Sequence, residues 1–191
     1  IEVEAANAVS GAPMVAAAVD ADEAPPVDGT VGVLAYDASD PFDIDAITDS
    51  RSSLPHMVPP PEKFISRMRE MGIGDGHQVV IYDGAGLFSA ARVWWTFRRM
   101  GKMDVAVLDG GLPKWRAEGR EIEDMPPIVR DRHMTVQRQN HLVKDVTQVA
   151  HAAKLAEAEI IDARGAARFR GEAPEPRAGL RSGHIPGAKN V

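Results

Sequence analysis

The sequence predicts an α/β fold, a mostly parallel sheet with helices on both faces. Three observations carry that expectation. Between residues 61 and 119 the pattern alternates helix, strand, helix, strand, helix. Two apolar runs, Gln78 to Tyr82 and Val105 to Leu108, have strand length and follow turn-forming segments. The connections between these elements are short, as in layered α/β domains where crossover helices cover the sheet.

Residues 1–30 are rich in Ala, Val, Asp and Pro with no period of 2 or 3.6, and read as weakly ordered or irregular. Val31 to Tyr36 has the length of a short strand, and Asp37 to Pro61, dense in Asp, Ser and Pro, reads as loop. Pro61 suits a first helical position. Phe64, Ile65, Met68 and Met71 then form one helical stripe, and Gly72 suits the residue after the helix. Gln78 to Tyr82 reads as a buried parallel strand, followed by the tight loop Asp83-Gly-Ala-Gly86. The helix Ser89 to Met100 is expected to bury Val93, Trp94, Phe97 and Met100, and Gly101 closes it. A second strand follows at Val105 to Leu108, then a short helix from Leu112 to Glu118 ending at Gly119.

Residues 121–133 hold two prolines and mixed charge and read as a linker. Beyond it, Met134 to Gln137 is expected as a strand, and Asp145 as the N-cap of a helix whose inner face is Val146, Val149, Ala150 and Ala153. Ile160-Ile161 makes a further strand, and the remainder reads as Gly/Pro/Arg-rich loop. The expected division is 1–40 as an atypical segment, 41–120 as a first domain, 121–133 as a linker and 134–191 as an incomplete second domain.

Composition narrows the function. The 191 residues carry 22 Lys+Arg against 28 Asp+Glu, a net charge of −6, which argues against general nucleic-acid binding. No run reaches 18 apolar residues, so no membrane span is expected. Cysteine is absent, which excludes disulfides, thiolate metal sites and cysteine nucleophilic catalysis by this polypeptide. The start Ile1-Glu2-Val3-Glu4 lacks a basic signal-peptide head, so the expected compartment is the cytoplasm unless the true start lies upstream.

Of the chemical motifs, Gly84-Ala-Gly86 sits where a phosphate loop would. However, Ser89 occupies the third glycine position and no Gly-Lys-Ser/Thr follows, so a plain βα turn is the better reading. The six histidines show no zinc spacing. Trp94, Trp95, Phe97 and Trp115 read as packing residues. Arg164, Arg168, Arg170, Arg177 and Arg181 cluster just past a strand end, where α/β folds bind ligands. They suit a small carboxylate or oxyanion, or equally a solvated loop paired with Glu172 and Glu175. His184 reads as a turn histidine. Asp45 and His56, with Asp43 nearby, have the chemistry of an acid–base pair, although 11 residues of separation do not establish contact.

Longer phrases carry a resemblance. They are Phe42-Asp-Ile-Asp-Ala-Ile47 with Leu54-Pro-His-Met57, Val80 through Trp95, Leu108-Asp-Gly-Gly-Leu-Pro-Lys-Trp115, and Arg168-Phe-Arg-Gly-Glu-Ala-Pro-Glu-Pro-Arg177 with Gly183-His-Ile-Pro-Gly187. Over roughly residues 42–191 the chain resembles the tandem-domain rhodanese family, on its 3-mercaptopyruvate sulfurtransferase side. The resemblance implies two α/β domains and sulfur transfer from 3-mercaptopyruvate or thiosulfate to a thiol or cyanide through a cysteine persulfide. It matches Arg168 and Arg177 to substrate-binding arginines, and Asp45 and His56 to proton-handling residues. It implies no cofactor, a small anionic sulfur donor, and a thiol acceptor such as thioredoxin, with no nucleic acid and no membrane. The family's Cys-Gly-Ser-Gly-like loop has no counterpart here and would fall beyond Val191, and residues 1–40 depart from the family pattern. Two other outcomes stay open: a non-catalytic module that binds an anion or a partner, and an inactive truncated product. The second domain is expected to be loosely packed, or completed by another chain.

Overall fold

The computed structural model describes residues 30–34, 42, 44, 46–54, 56–120, 122, 130–176 and 179–191. They fall into two compact units that divide after Asn140.

In the first unit, β1 (Thr30–Leu34), β2 (Gln78–Tyr82) and β3 (Val105–Val107) form an all-parallel sheet in that order. Thr30 lies opposite Gln78, and Val79 opposite Val105. A strand from within the segment expected to be atypical therefore joins the sheet, overlapping the stretch Val31 to Tyr36 whose length suits a short strand. The rest of residues 1–40 lies outside the described residues.

Helix α1 (Pro61–Glu70) starts on proline, with Glu62 in its first turn and Arg67 and Arg69 in its last, a charge order that suits the helix dipole. It ends in a double backbone bond: Gly72 N–H donates to Arg69 and Ile73 N–H to Met68. Gly72 takes a left-handed φ of 70°, which lets Ile73 fold back into the core beside Met68. Helix α2 (Ala90–Arg99) buries Val93 and Phe97 as expected. Trp94, expected on the buried side, packs against the core only in part. Trp95 is buried, while half-buried Trp94 donates its indole N–H to the Val105 carbonyl at 3.0 Å. Phe97 anchors the core, edge-on to Phe64 at 5.2 Å and tilted on Phe42 at 5.7 Å. Helix α3 (Gly111–Ala117) follows β3.

Residues 133–139 belong to the first unit. Met134 is buried in its core, Thr135 N–H and Oγ1–H both donate to the Asp75 carboxylate, and Gln137 and Gln139 N–H donate to Met100 and Arg99 carbonyls. The strand expected at 134–137 does not form, because these amides bond to a loop and a helix end rather than to a ladder. Gly101 is obligatory at this contact. Its φ is 95°, and a Cβ there would lie 2.7 Å from the Gln137 carbonyl oxygen.

The second unit contains a 3₁₀ turn (Asn140–Leu142 straddles its start), α4 (Val146–Leu155), α5 (Ala166–Phe169) and a two-stranded parallel ladder of β4 (Ile161–Asp162) and β5 (Lys189–Asn190). Asp145 caps α4 as the sequence predicts, in a reciprocal box with Gln148. The expected inner face of α4 is not covered: Val146 is 84% exposed, and none of the described residues from 141 to 191 is buried.

Candidate functional site

The loop before α1 carries His56 in a left-handed conformation, φ 55°. For a non-glycine residue this is an uncommon backbone state that needs support from its surroundings. The support is visible. The Arg92 guanidinium donates to the His56 carbonyl at 2.7 Å while stacking 4.7 Å over the Trp95 ring. Asp49 N–H and Thr48 Oγ1–H both donate to the Met57 carbonyl. Helix α2 therefore fixes the His56 turn through Arg92, a residue that sequence reasoning did not single out. Its signal was present in the phrase Ala90-Ala-Arg-Val-Trp-Trp95. Asp45, the expected partner of His56, lies outside the described residues.

At the end of β2, Asp83 is fully buried and its carboxylate accepts four backbone N–H bonds. Ala85 and Leu87 donate to Oδ1, and Ser89 and Ala90 to Oδ2, all between 2.9 and 3.0 Å. Burial pushes this carboxyl up, but the four N–H groups outweigh burial and hold it below its ordinary value. The loop amides that could cradle a phosphate are thus occupied by the protein's own anion, which is why Gly84-Ala-Gly86 is a turn and not a nucleotide loop. The Asp83 carbonyl in turn accepts Leu112 N–H at the start of α3.

In the second unit, the arginine cluster is organised around Glu175, whose side chain is only 4% exposed. Arg164 reaches Asp162 through Nε and Nη2, Glu175 through Nη1 at 2.8 Å, and the Gly183 carbonyl through Nη2 at 2.7 Å. Its bonds hold the Asp162 carboxyl down to about 2. Arg168 places its Nε–Nη2 edge on the same Glu175, at 3.2 and 2.5 Å, and hydrogen bonding to Arg168 lowers the Glu175 carboxyl. The two arginines differ in use. Arg164 is consumed in tying β4 to the turn at Gly183, whereas Arg168 stays 36% exposed and keeps its Nη1 end unpaired among the described residues. Arg170 pairs with exposed Glu172. His184 stacks on Phe169 at 3.8 Å, and its Nδ1 lies 2.7 Å from the Phe169 carbonyl, so it fastens α5 to the turn. Arg177 lies outside the described residues.

No group of three or more His, Asp or Glu able to hold a metal occurs among the described residues, and no helix among them is long and apolar enough to cross a membrane.

This first unit is a rhodanese-like domain: residues 45–118 match the rhodanese-like domain family model, and the α/β fold is that of the family. The relatives are sulfurtransferases. A 3-mercaptopyruvate sulfurtransferase of Escherichia coli is 44% identical over 150 residues, covering 78% of this chain and 53% of that protein. The mitochondrial thiosulfate/3-mercaptopyruvate sulfurtransferase 1 of Arabidopsis thaliana is 44% identical over 171 residues, 78% of this chain and 45% of its own length. The crystal structure of SseA from Escherichia coli superposes with a TM-score of 0.70 at 42% identity, covering 78% of this chain and 56% of that one. The chain spans about half the length of the curated relatives it matches.

Proposed function

We propose that this polypeptide works in sulfur transfer from 3-mercaptopyruvate, or from thiosulfate, to a thiol acceptor such as thioredoxin or to cyanide. The observation that supports this reading is the 44% identity to a 3-mercaptopyruvate sulfurtransferase across 78% of the chain. The chemistry requires a thiolate that attacks the sulfur of the donor. The C–S bond breaks, a cysteine persulfide forms, and the enolate of pyruvate leaves and takes a proton. The acceptor thiolate then removes the outer sulfur. The 191 residues hold no cysteine, so the thiolate must come from outside them.

Within that scheme, His56 and Asp45 handle the proton, and Arg168 and Arg177 hold the donor carboxylate. The geometry of Arg168 favours its part. Glu175 fixes one edge of the guanidinium and leaves the other end for a bidentate or end-on bond to a carboxylate. Arg164, already fully engaged, is a positioning residue for that arrangement. The compartment we assign is the cytoplasm.

Pyruvate release from 3-mercaptopyruvate, measured on the 191-residue chain, is expected to be absent. Turnover near that of a full-length relative would overturn the requirement for an outside thiolate. The missing cysteine also favours a second reading, a non-catalytic module that retains the anion site. On that reading a cysteine-bearing segment supplied in trans restores no turnover, while pyruvate still binds and binding is lost in Arg168→Ala. Restored turnover that falls in His56→Gln supports the sulfur-transfer reading instead.

A further inference from the structure

A cleft of about 400 Å³ opens in the first unit between the loop before α1, the start of α1 and the end of α2. Asp49, Arg51, Glu62, Arg99, Arg138 and the proline run 59–61 line it. Arg99 is the unusual member. It is 8% exposed, and its Nη2 donates to Asn140 Oδ1 at 3.0 Å, while its Nε and Nη1 N–H groups are buried with no partner. A buried guanidinium with two unmade hydrogen bonds is destabilising unless something accepts them.

The rest of the lining does not supply that acceptor. Asp49 is committed to Arg51, with Nε on Oδ1 at 2.8 Å and Nη2 on Oδ2 at 2.9 Å. Arg138 has no ion pair among the described residues and lies close enough to Arg99 to disfavour its charge further. Glu62 is the one carboxylate left against two guanidinium groups, and it sits in the first turn of α1, whose N-terminus opens on the cleft without a side-chain cap. Arg99, with two N–H groups unmet, and Arg138, with no ion pair among the described residues, therefore line one open volume in which Glu62 is the one carboxylate not already paired.

We propose that this cleft is a binding site for a small tetrahedral oxyanion of the sulfate or phosphate class, held by Arg99 and Arg138. A planar carboxylate matches a single guanidinium fork. Donors from two separate guanidinium groups instead suit an anion that presents oxygens in several directions. The inference stands independently of the sulfur-transfer reading, since none of its residues is assigned a role there.

The test is titration of the full 191-residue chain with sodium sulfate and sodium phosphate in an otherwise anion-poor buffer. Calorimetry and the Arg Nε–H NMR resonances are the readouts, with sodium chloride at matched ionic strength and sodium acetate as comparisons. Saturable binding of sulfate or phosphate is expected, with a shift of the Arg99 Nε–H signal. Arg99→Met and Arg138→Gln are each expected to weaken it about tenfold or more, the usual scale for a lost charge-assisted bond. Tryptophan-monitored melting establishes that each variant is folded, and if Arg99→Met is not, Arg138→Gln decides the matter. Three results would overturn the proposal: a response to sulfate no different from that to chloride, undiminished binding in the folded variants, or acetate binding as tightly as sulfate.

Discussion

Asp83→Asn should be among the most destabilising single-atom changes available in this chain. The carboxylate takes two backbone N–H bonds on each oxygen and is sealed from water. An asparagine keeps one carbonyl oxygen, so one pair of amides stays bonded while the other pair faces an NH₂ group. Two buried N–H groups then lose their acceptor at about 1–3 kcal/mol each, which puts the loss at about 2–6 kcal/mol. For a unit of this size that corresponds to a fall in Tm of roughly 10–30 °C. All three tryptophans (Trp94, Trp95, Trp115) lie in the first unit, so fluorescence-monitored melting reports on it alone.

The same carboxyl sets a pH signature. Its folded value is depressed below the ordinary 3.8, so its contribution is fully present above about pH 3.8 and is lost as pH falls through the folded value. The Tm gap between the parent chain and Asp83→Asn should therefore be widest at neutral pH and should narrow below pH 4. Asp109→Asn is the control, because Asp109 is exposed and, among the described residues, pairs only with exposed Lys114, a type of contact worth little. A Tm change under about 2 °C for Asp83→Asn, or a gap that does not close in acid, refutes the picture of Asp83 as the internal anion of the loop.

Two further outcomes follow from the packing. Gly101→Ala should lower first-unit stability by about 2 kcal/mol or more, since it combines a left-handed φ with a Cβ driven into the Gln137 carbonyl; chemical denaturation followed by fluorescence reads it. Amides of α4 in the isolated 191-residue chain should show at least about tenfold less hydrogen-exchange protection than those of α2 and β2, because no described residue of the second unit is buried; equal protection would show that the unit is stabilised in a way the burial pattern lacks.

Much of this architecture was legible in the sequence where one physical rule dominates. Pro61 and Gly72 bracket α1, the runs at 78–82 and 105–107 are short and apolar enough to be parallel strands, and Asp145 with Gln148 announces a capping box. The reading failed where tertiary partners override local pattern. Periodicity put Trp94 inward, but an indole needs a hydrogen-bond partner, and the Val105 carbonyl at the sheet edge draws it out to half burial. Met134 to Gln137 has strand composition yet finds no strand edge, only Asp75 and the end of α2. The site was partly legible. Arg168 and Glu175 stand seven residues apart, and the sequence left pairing and ligand binding equally open. The fold shows the pair formed on one edge of the guanidinium with the other edge exposed.

Arg99 shows most clearly why the remainder was hidden. At the last position of an amphipathic helix, beside Arg98, it reads as a solvated basic end that suits the dipole. Burial comes from residues 138–140 returning across it some forty positions later, which no local pattern encodes. The contrast with Asp83 is then informative. Both are buried charges in the first unit close to the ends of α2. Around Asp83 every donor is matched from within the chain, so the glycine loop that looks like an anion site has no capacity left. Around Arg99 the described residues offer Asn140 alone, and two donors stay unmatched beside a second guanidinium with no ion pair among them. Charge accounting therefore moves the anion-binding capacity of this unit away from the motif that advertises it, and into a cleft that no motif marks.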